Sequence, residues 1–309
     1  MESEEAFTYF GFGKLVCKST SSLDNGKTVL VTQGANSWSG TMTDGLCVFT
    51  QIPQKGKYHV ALKNGNTTEY ETDIIFNFGE YKEIDVGLDH TSWKGMKAIT
   101  NADKVDTMTE VGDKISATIS GTTSEFMVIH KNYRKSIYGS NVVMMATSCL
   151  DNGMQMRTTD VNSGGYGGTL VAAKLDGEYY DGCPDDMKAA ISEITFQASV
   201  GSQSTNLQNE KHKIWIPLEY NVFGGTTYAA GTEVTAGGAE QFSYFATAAN
   251  RVMKLGDSGA ACPWWLGSPY VANSTIFCAV TAAGAPNNYY SASNSIGVVR
   301  CFMIAADKA

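Results

Sequence analysis

The chain has 309 residues, 23 Lys and Arg against 31 Asp and Glu, and a formal net charge of −8. At roughly 100–200 residues per domain this length holds about two domains, and a 43% hydrophobic, 11% aromatic composition supplies packed cores and excludes wholesale disorder. The acidic balance, with Arg only at 134, 157, 251 and 300, excludes the clustered basic surface that nucleic acid requires, and no apolar run approaches the ~20 residues of a membrane span.

The opening residues, Met1-Glu2-Ser3-Glu4-Glu5, are acidic, whereas a secretory signal starts basic and continues apolar, so no signal is expected. The strand candidates that follow are Lys14–Lys18, Thr28–Gln33, Leu46–Gln51, Lys57–Leu62, Glu69–Phe76 and Tyr81–Gly87. Tyr58–Leu62 and Glu69–Ile74 alternate with period two, as half-buried strands do. Asp24-Asn25-Gly26, Asp44-Gly45 and Asn64-Gly65-Asn66 are hairpin formers. Residues 1–89 are therefore expected to form an all-β sandwich. Gly26-Lys27-Thr28 looks like the end of a phosphate loop, but Ser21 stands where the required Gly should be, which makes it a turn. The run Gly40–Pro53, followed by Gly56–Val60, resembles Ig-like, transthyretin-like or carboxypeptidase-regulatory-like modules. The resemblance implies an attachment or spacer domain.

Residues 90–309 read as a second, loop-rich α+β domain. Ser92 is placed to cap a helix over Trp93–Ile99. Glu110–Ile115 introduces a strand, and Phe126–His130 and Val142–Ser148 are buried-strand candidates. Pro184–Ile191 reads as a helix with Pro and two acids in its first turn. Lys213–Phe223 is expected as a strand and Glu240–Lys254 as a helix, from the spacing of Phe242, Phe245, Ala249 and Val252. Gly164–Gly168 is expected as a surface turn.

The seven cysteines (17, 47, 149, 183, 262, 278 and 301) are odd in number and lack a Cys-x-x-Cys pair, so they read as reduced, buried thiols. Neither a zinc cluster nor an EF-hand spacing is present. Gly256-Asp257-Ser258-Gly259 resembles the nucleophile segment of trypsin-like serine proteases, but none of His59, His90, His130 and His212 stands in the Ala-Ala-His-Cys context of that family's base. No cofactor and no catalytic residue are expected.

The distinctive stretch is C-terminal. From Leu266 to Arg300, 35 residues contain one charge, Arg300, and no Lys, Glu, Asp, Gln, Met, His or Trp. A Tyr-, Ser-, Asn- and Gly-rich segment suits an adaptable binding surface, Tyr supplying rigid area and Ser and Asn hydrogen bonds.

Trp264-Trp265-Leu266-Gly267-Ser268-Pro269, then Phe277, Val280, Gly284 and Gly297-Val298, resembles the C-type-lectin-fold domains related to formylglycine-generating enzymes. Trp93–Met96, Val111–Asp113, Gly164–Tyr166, Pro184–Ile191 and Glu240–Phe245 extend the resemblance over about 90–305. Members include variable proteins of diversity-generating retroelements in gut phages and bacteria. There, mutagenesis at template adenines cannot turn an Asn codon into Lys, Glu, Gln, Met or Trp, and Leu266–Arg300 lacks all five. The family's usual Trp-Trp-Leu-Arg-Ser-Pro carries Gly267 in place of Arg here, consistent with a diversified position. Its Gly-Val-Arg-Pro reads Gly297-Val298-Val299-Arg300. The oxidases' close copper-binding cysteine pair is not matched by Cys278 and Cys301, so that activity is not carried over.

The resemblance implies a framework of Trp264, Trp265, Leu266, Ser268, Pro269, Phe277, Val280, Gly284, Gly297 and Val298. Between them would lie a ligand-binding surface of Gly267, Tyr270, Ala272, Ser274, Ile276, Ala279, Thr281, Ala283, Ala285, Asn287, Asn288, Tyr289, Tyr290, Ala292, Asn294 and Ile296. It further implies a non-catalytic phage receptor-binding or fibre protein, resident in the virion. Its partners would be a host cell-surface protein or glycan and, through the N-terminal domain, other virion proteins, in a homotrimeric assembly with no nucleic-acid or membrane partner. The alternatives are a bacterial surface adhesin of the same fold and, behind it, a serine protease or formylglycine-type oxidase.

Overall fold

The computed structural model describes residues 13–19, 24–52, 55–77, 80–86, 90–237, 240–257 and 259–307. The chain divides into two compact units, 1–91 and 92–309. Unit 1 contains β1 (Gly13–Lys18), β2 (Thr28–Gln33), β3 (Asn36–Thr41), β4 (Leu46–Ile52), β5 (Gly56–Asn64), β6 (Thr67–Phe76) and β7 (Tyr81–Asp85). They form a three-stranded sheet in the order β4-β1-β7 and a four-stranded sheet in the order β3-β2-β5-β6. Period-two alternation sends Leu15 and Cys17, Val29 and Val31, Cys47 and Phe49, and Tyr58, Val60 and Leu62 into one core shared by both sheets.

Strand β3 leads into the Asp44-Gly45 turn, although Asn-Ser-Trp-Ser-Gly-Thr has little strand propensity of its own. Among the described residues it pairs with β2 alone, and its one large residue, Trp38, packs against Tyr58 with ring centroids 5.8 Å apart. Asp44-Gly45 does turn tightly, with φ of 49° and 75°. Such left-handed backbone suits Asp and Gly. Thr43 and Leu46 exchange both backbone hydrogen bonds across the turn at 2.9 Å, a two-residue hairpin closure from which β3 and β4 diverge into different sheets. Lys27 is ion-paired to buried Asp24 at 2.7 Å beneath the turn into β2, a structural role. Gly87, Asp89 and Pro53 of the expected elements lie outside the described residues.

Unit 2 begins with α1 (Trp93–Asn101), which Ser92 caps by accepting the Gly95 N–H at 3.1 Å, and α2 (Val105–Met108). Next come β8 (Lys114–Ile119), β9 (Thr122–Lys131), α3 (Lys135–Tyr138) and β10 (Asn141–Ala146). Helix α4 (Leu170–Lys174) runs into a π turn at Leu175–Tyr179, and α5 (Asp185–Ala190) follows Pro184. The hairpin β11 (Ile194–Ser199) and β12 (Leu207–His212) leads to β13 (Ile214–Trp215), α6 (Glu219–Phe223) and α7 (Thr232–Gly237). The chain continues through β14 (Met253–Lys254), β15 (Ala261–Cys262), β16 (Trp264–Pro269), β17 (Phe277–Val280), β18 (Pro286–Asn287) and β19 (Cys301–Ala305).

The main sheet is antiparallel in the order β13-β19-β10-β9-β8. All of β10 and β19 is buried, and Trp93, Phe126 and Phe302 cluster with centroids 5.3–5.9 Å apart. A small sheet, β16-β17-β18, carries the Trp-Trp segment. The protein is thus β-rich and loop-rich in both units.

Two expected elements are corrected. Lys213–Phe223 is not one strand: it stops at Trp215, Pro217 supplies no backbone donor, and Asn221 Oδ1 accepts the Leu218 N–H to start α6. Glu240–Lys254 is not one helix. Thr247 is extended (φ −88°, ψ 119°) and splits it into two 3₁₀ turns, Ser243–Ala246 and Ala248–Arg251, before β14.

Candidate functional site

The C-terminal framework residues are buried, and both indoles of the Trp-Trp pair are satisfied internally. Trp264 Nε1 donates to Arg251 O at 2.9 Å and Trp265 Nε1 to Met154 O at 2.7 Å. They are core anchors.

The expected surface is only partly a surface. Tyr289 is 79% exposed, and Ala272, Ser274, Ala283, Ala285 and Asn294 are also exposed. Tyr270, Ile276, Thr281, Asn287, Asn288 and Tyr290 are half-buried. Gly267, Ala279, Ala292 and Ile296 are buried and do not belong to it. Ala279 lies within β17, and Ile296 pairs with Met154. A Cβ on Gly267 would meet Leu218 Cδ2 at 2.9 Å and Tyr166 Cγ at 3.4 Å. That position is filled by neighbours and is not an exposed tip.

The exposed part is one folded platform. The Ala292 N–H donates to Thr275 O at 2.8 Å and Ile276 bridges to Ser291, which lays the 270–276 loop along 289–294. Asn287 Oδ1 accepts the Tyr289 N–H at 2.7 Å. Tyr290 stands edge-on to Tyr289 at 5.7 Å and to Trp265 at 6.3 Å, so it ties the platform to the core.

Residues far away in sequence hold this platform. Buried Asn162 donates through Nδ2 to Asn273 O and Ile276 O, both at 2.8 Å, and Oδ1 accepts the Ser202 N–H. Glu219 accepts the N–H groups of Thr227, Tyr228 and Ala229 at 3.1, 3.0 and 2.7 Å. That segment supports Tyr270 through an Ala229 bridge and a Tyr228 ring contact of 5.7 Å. Ser268 accepts the Glu219 N–H and donates to Glu233, which also accepts the Ser199 N–H. Burial pushes Glu233 up to about 7 against those two bonds. Nothing in the local sequence around Asn162, Glu219 or Glu233 announces these roles; a carboxylate buried in a helix first turn is visible only in three dimensions.

The glycine run is the expected turn, with Gly164, Gly167 and Gly168 exposed and Gly165 buried. A Cβ on Gly165 would meet Ser199 O at 2.4 Å, on Gly167 Glu210 Oε2 at 2.2 Å, and on Gly168 Arg157 Nη2 at 2.4 Å. The turn is at the surface and closely packed against its neighbours at the same time. Glu210 accepts the Gly167 N–H and meets His212 Nε2 at 3.2 Å, while the other ring nitrogen of His212 meets Asp176. Burial pulls His212 down, but the two carboxylates outweigh it and raise it to about 9.

A second feature was missed entirely. A cleft of about 190 Å³ opens between the β8–β9 turn, the segment after β10, the π turn and Arg300. Arg300 is 2% exposed, and its guanidinium lies over the Tyr179 and Phe126 rings at 5.4 and 6.0 Å. Its being the one charge in 35 residues was the available signal.

Cys278 and Cys301 do not pair with each other. Ser258 lies outside the described residues, and Asp257 accepts the Ser148 hydroxyl at 2.7 Å. His59, His130 and His212 contact Asp73, Glu240 and Asp176. Cys278 and Cys301 are both buried; the thiols that meet are Cys149 and Cys262, 3.8 Å apart. Among the described residues no group of three His, Cys, Asp or Glu side chains is placed to hold a metal ion, and no helix is long and apolar enough to cross a membrane.

No curated protein matches the chain. Among solved structures, a DUF3823 family protein from Parabacteroides merdae is 15% identical, with a TM-score of 0.21 and 43% of this chain covered. A candidate carbohydrate binding protein from Bacteroides uniformis is 13% identical, with a TM-score of 0.20 and 38% covered. The Bacillus anthracis TIE protein is 11% identical, with a TM-score of 0.20 and 44% covered. The chain spans 57%, 51% and 28% of these proteins' lengths. A family model described as a domain of unknown function, DUF6273, matches residues 139–306, which is more than half of the chain and takes in the β10 strand, the platform and β19. The chain belongs to the DUF6273 family.

Proposed function

We propose that the chain is a non-catalytic binding protein whose second unit presents the 270–294 platform to a cell-surface protein or glycan. The observation that carries this reading is Tyr289, 79% exposed in an uncharged stretch whose loops are fastened from below by buried polar groups. Interface energy concentrates in a few aromatic anchors, and a rigid, uncharged, Tyr- and Asn-bearing platform limits the entropy lost on binding.

The finer reading rests on the resemblance of residues 90–305 to C-type-lectin-fold variable proteins. In it the chain is a phage receptor-binding or fibre protein, and the exposed tips are the diversified positions. The first unit attaches it to the virion, and a homotrimer multiplies weak single sites. The burial pattern narrows the diversified set to Tyr270, Ala272, Ser274, Ile276, Thr281, Ala283, Ala285, Asn287, Asn288, Tyr289, Tyr290 and Asn294.

The test uses the fluorescently labelled full chain on a panel of intact gut bacterial strains and a printed glycan array. At least one surface should be labelled, and Tyr289→Ala should weaken it about tenfold or more with no change in melting temperature. Labelling of none, or labelling unaffected by Tyr289→Ala, overturns the reading. Sequencing the gene through a growing population tests the finer part: substitutions confined to template adenines are expected, and an invariant segment overturns it.

A further inference from the structure

The Arg300 cleft is a second site, and none of residues 270–294 lines it. A guanidinium stays charged at any working pH. A buried charge without a counter-charge is costly unless something else compensates it. Arg300 is 2% exposed, its Nε meets no acceptor, and it enters no ion pair among the described residues. The Tyr179 and Phe126 rings hold the guanidinium plane in place without neutralising it. The Tyr179 hydroxyl is itself buried without a well-formed hydrogen bond. Two donors that would ordinarily be satisfied therefore border one cleft.

The remaining lining sets the ligand. Ser120, Thr122, Thr123 and Ser124 contribute hydroxyls that can donate or accept. Asp151, Glu178 and Asp257 also line the cleft, and Lys174 is already paired with Glu178. Three carboxylates oppose a dianion such as sulfate or phosphate, whereas one carboxylate can be taken by the guanidinium fork. The cleft's volume of about 190 Å³ falls below that of drug-sized sites and leaves room for a single ligand of monosaccharide size.

We infer that this cleft binds an acidic sugar: a single carboxylate on the Arg300 guanidinium and the Tyr179 hydroxyl, with the sugar hydroxyls against the serines and threonines of the β8–β9 turn. The inference does not rest on the platform reading, and its probes differ from the cells and arrays used there.

The experiment is calorimetric titration of the full chain with glucuronate, glucose, acetate and sulfate. Glucuronate should saturate and raise the melting temperature of the second unit. Glucose and sulfate should not bind, and acetate should bind at least about tenfold more weakly, because it lacks the hydroxyl-bearing body. Arg300→Met should abolish binding while the protein stays folded, since an apolar chain of similar length replaces an uncompensated charge. Tyr179→Phe, which removes one hydroxyl, should weaken binding about three- to tenfold and serves if Arg300→Met does not fold. The inference is overturned if glucuronate shows no saturable binding, if acetate or sulfate binds equally well, or if Tyr179→Phe binds as the parent does.

Discussion

On the outer face of the four-stranded sheet of unit 1, Lys57, His59, Glu71 and Asp73 meet as ion pairs with each side chain at least 43% exposed. In unit 2, His212 is 6% exposed between Asp176 and Glu210, and Glu219 and Glu233 are fully buried. The first unit packs apolar residues by alternation and leaves most of its charge to water, Asp24 beneath Lys27 being an exception. The second unit has short strands and long connections, so it secures its loops with buried and half-buried carboxylates and an amide that tie down backbone groups, and with an imidazolium that holds two of those carboxylates in place. A loop-built surface needs such clamps, because loops carry polar backbone that must be satisfied wherever it is buried.

The comparison predicts a ranked set of effects. Gly267→Arg should be worst: it drives a side chain into Leu218 and Tyr166, and we expect a loss of about 3 kcal/mol or more in the urea transition of unit 2, with unit 1 unaffected. A tolerated Arg there would restore Gly267 to the surface.

His212 comes next, and it should make unit 2 pH-dependent. Its folded-state value is raised from 6.5 to about 9. The stabilisation is therefore complete below pH 6.5 and lost as pH rises through about 9, up to about 3 kcal/mol. Glu233, raised from 4.5 to about 7, produces its own decline at lower pH, so urea midpoints compared between pH 7.5 and 9.5 isolate His212. His212→Gln should flatten that interval; an unchanged slope would mean that the network does not hold a charged imidazole. Asn162→Ala should cost about 1–3 kcal/mol and raise amide exchange in 272–276, since two carbonyls and one N–H lose their partner. Lys57→Ala, at an exposed pair of unit 1, should leave the melting temperature unchanged. A marked loss there would erase the contrast between the units.

Features set by near neighbours in sequence were legible. Ser92 caps α1 and Pro184 precedes α5, because a cap and a first-turn proline act within four residues. The alternating run Tyr58–Leu62 of β5 points Tyr58, Val60 and Leu62 inward as read. What failed depended on distant partners. The stretch after Lys213 looked like a strand because its charge is low, but Glu219 is spent on the 227–229 backbone. The surface positions were read from a family pattern, which does not reveal that Ala292 and Ile296 are covered while Asn294 between them is open. Arg300 was visible as a lone charge, but nothing in its neighbours showed that it would be left bare at the bottom of a cleft.

The position of β19 carries a kinetic consequence. It lies between β13 and β10 in the main sheet, and it pairs Cys301–Ala305 with Asn141–Met145 across some 160 residues of intervening chain. Unit 1 has all its strands by Asp85 and can close while synthesis continues. The sheet of unit 2 lacks a central member until residue 305 has left the ribosome. Until then β10, buried along its whole length in the finished fold, presents an open apolar edge. The nascent second unit is thus the stage of this protein's life most exposed to aggregation, and the stage at which a chaperone would matter most.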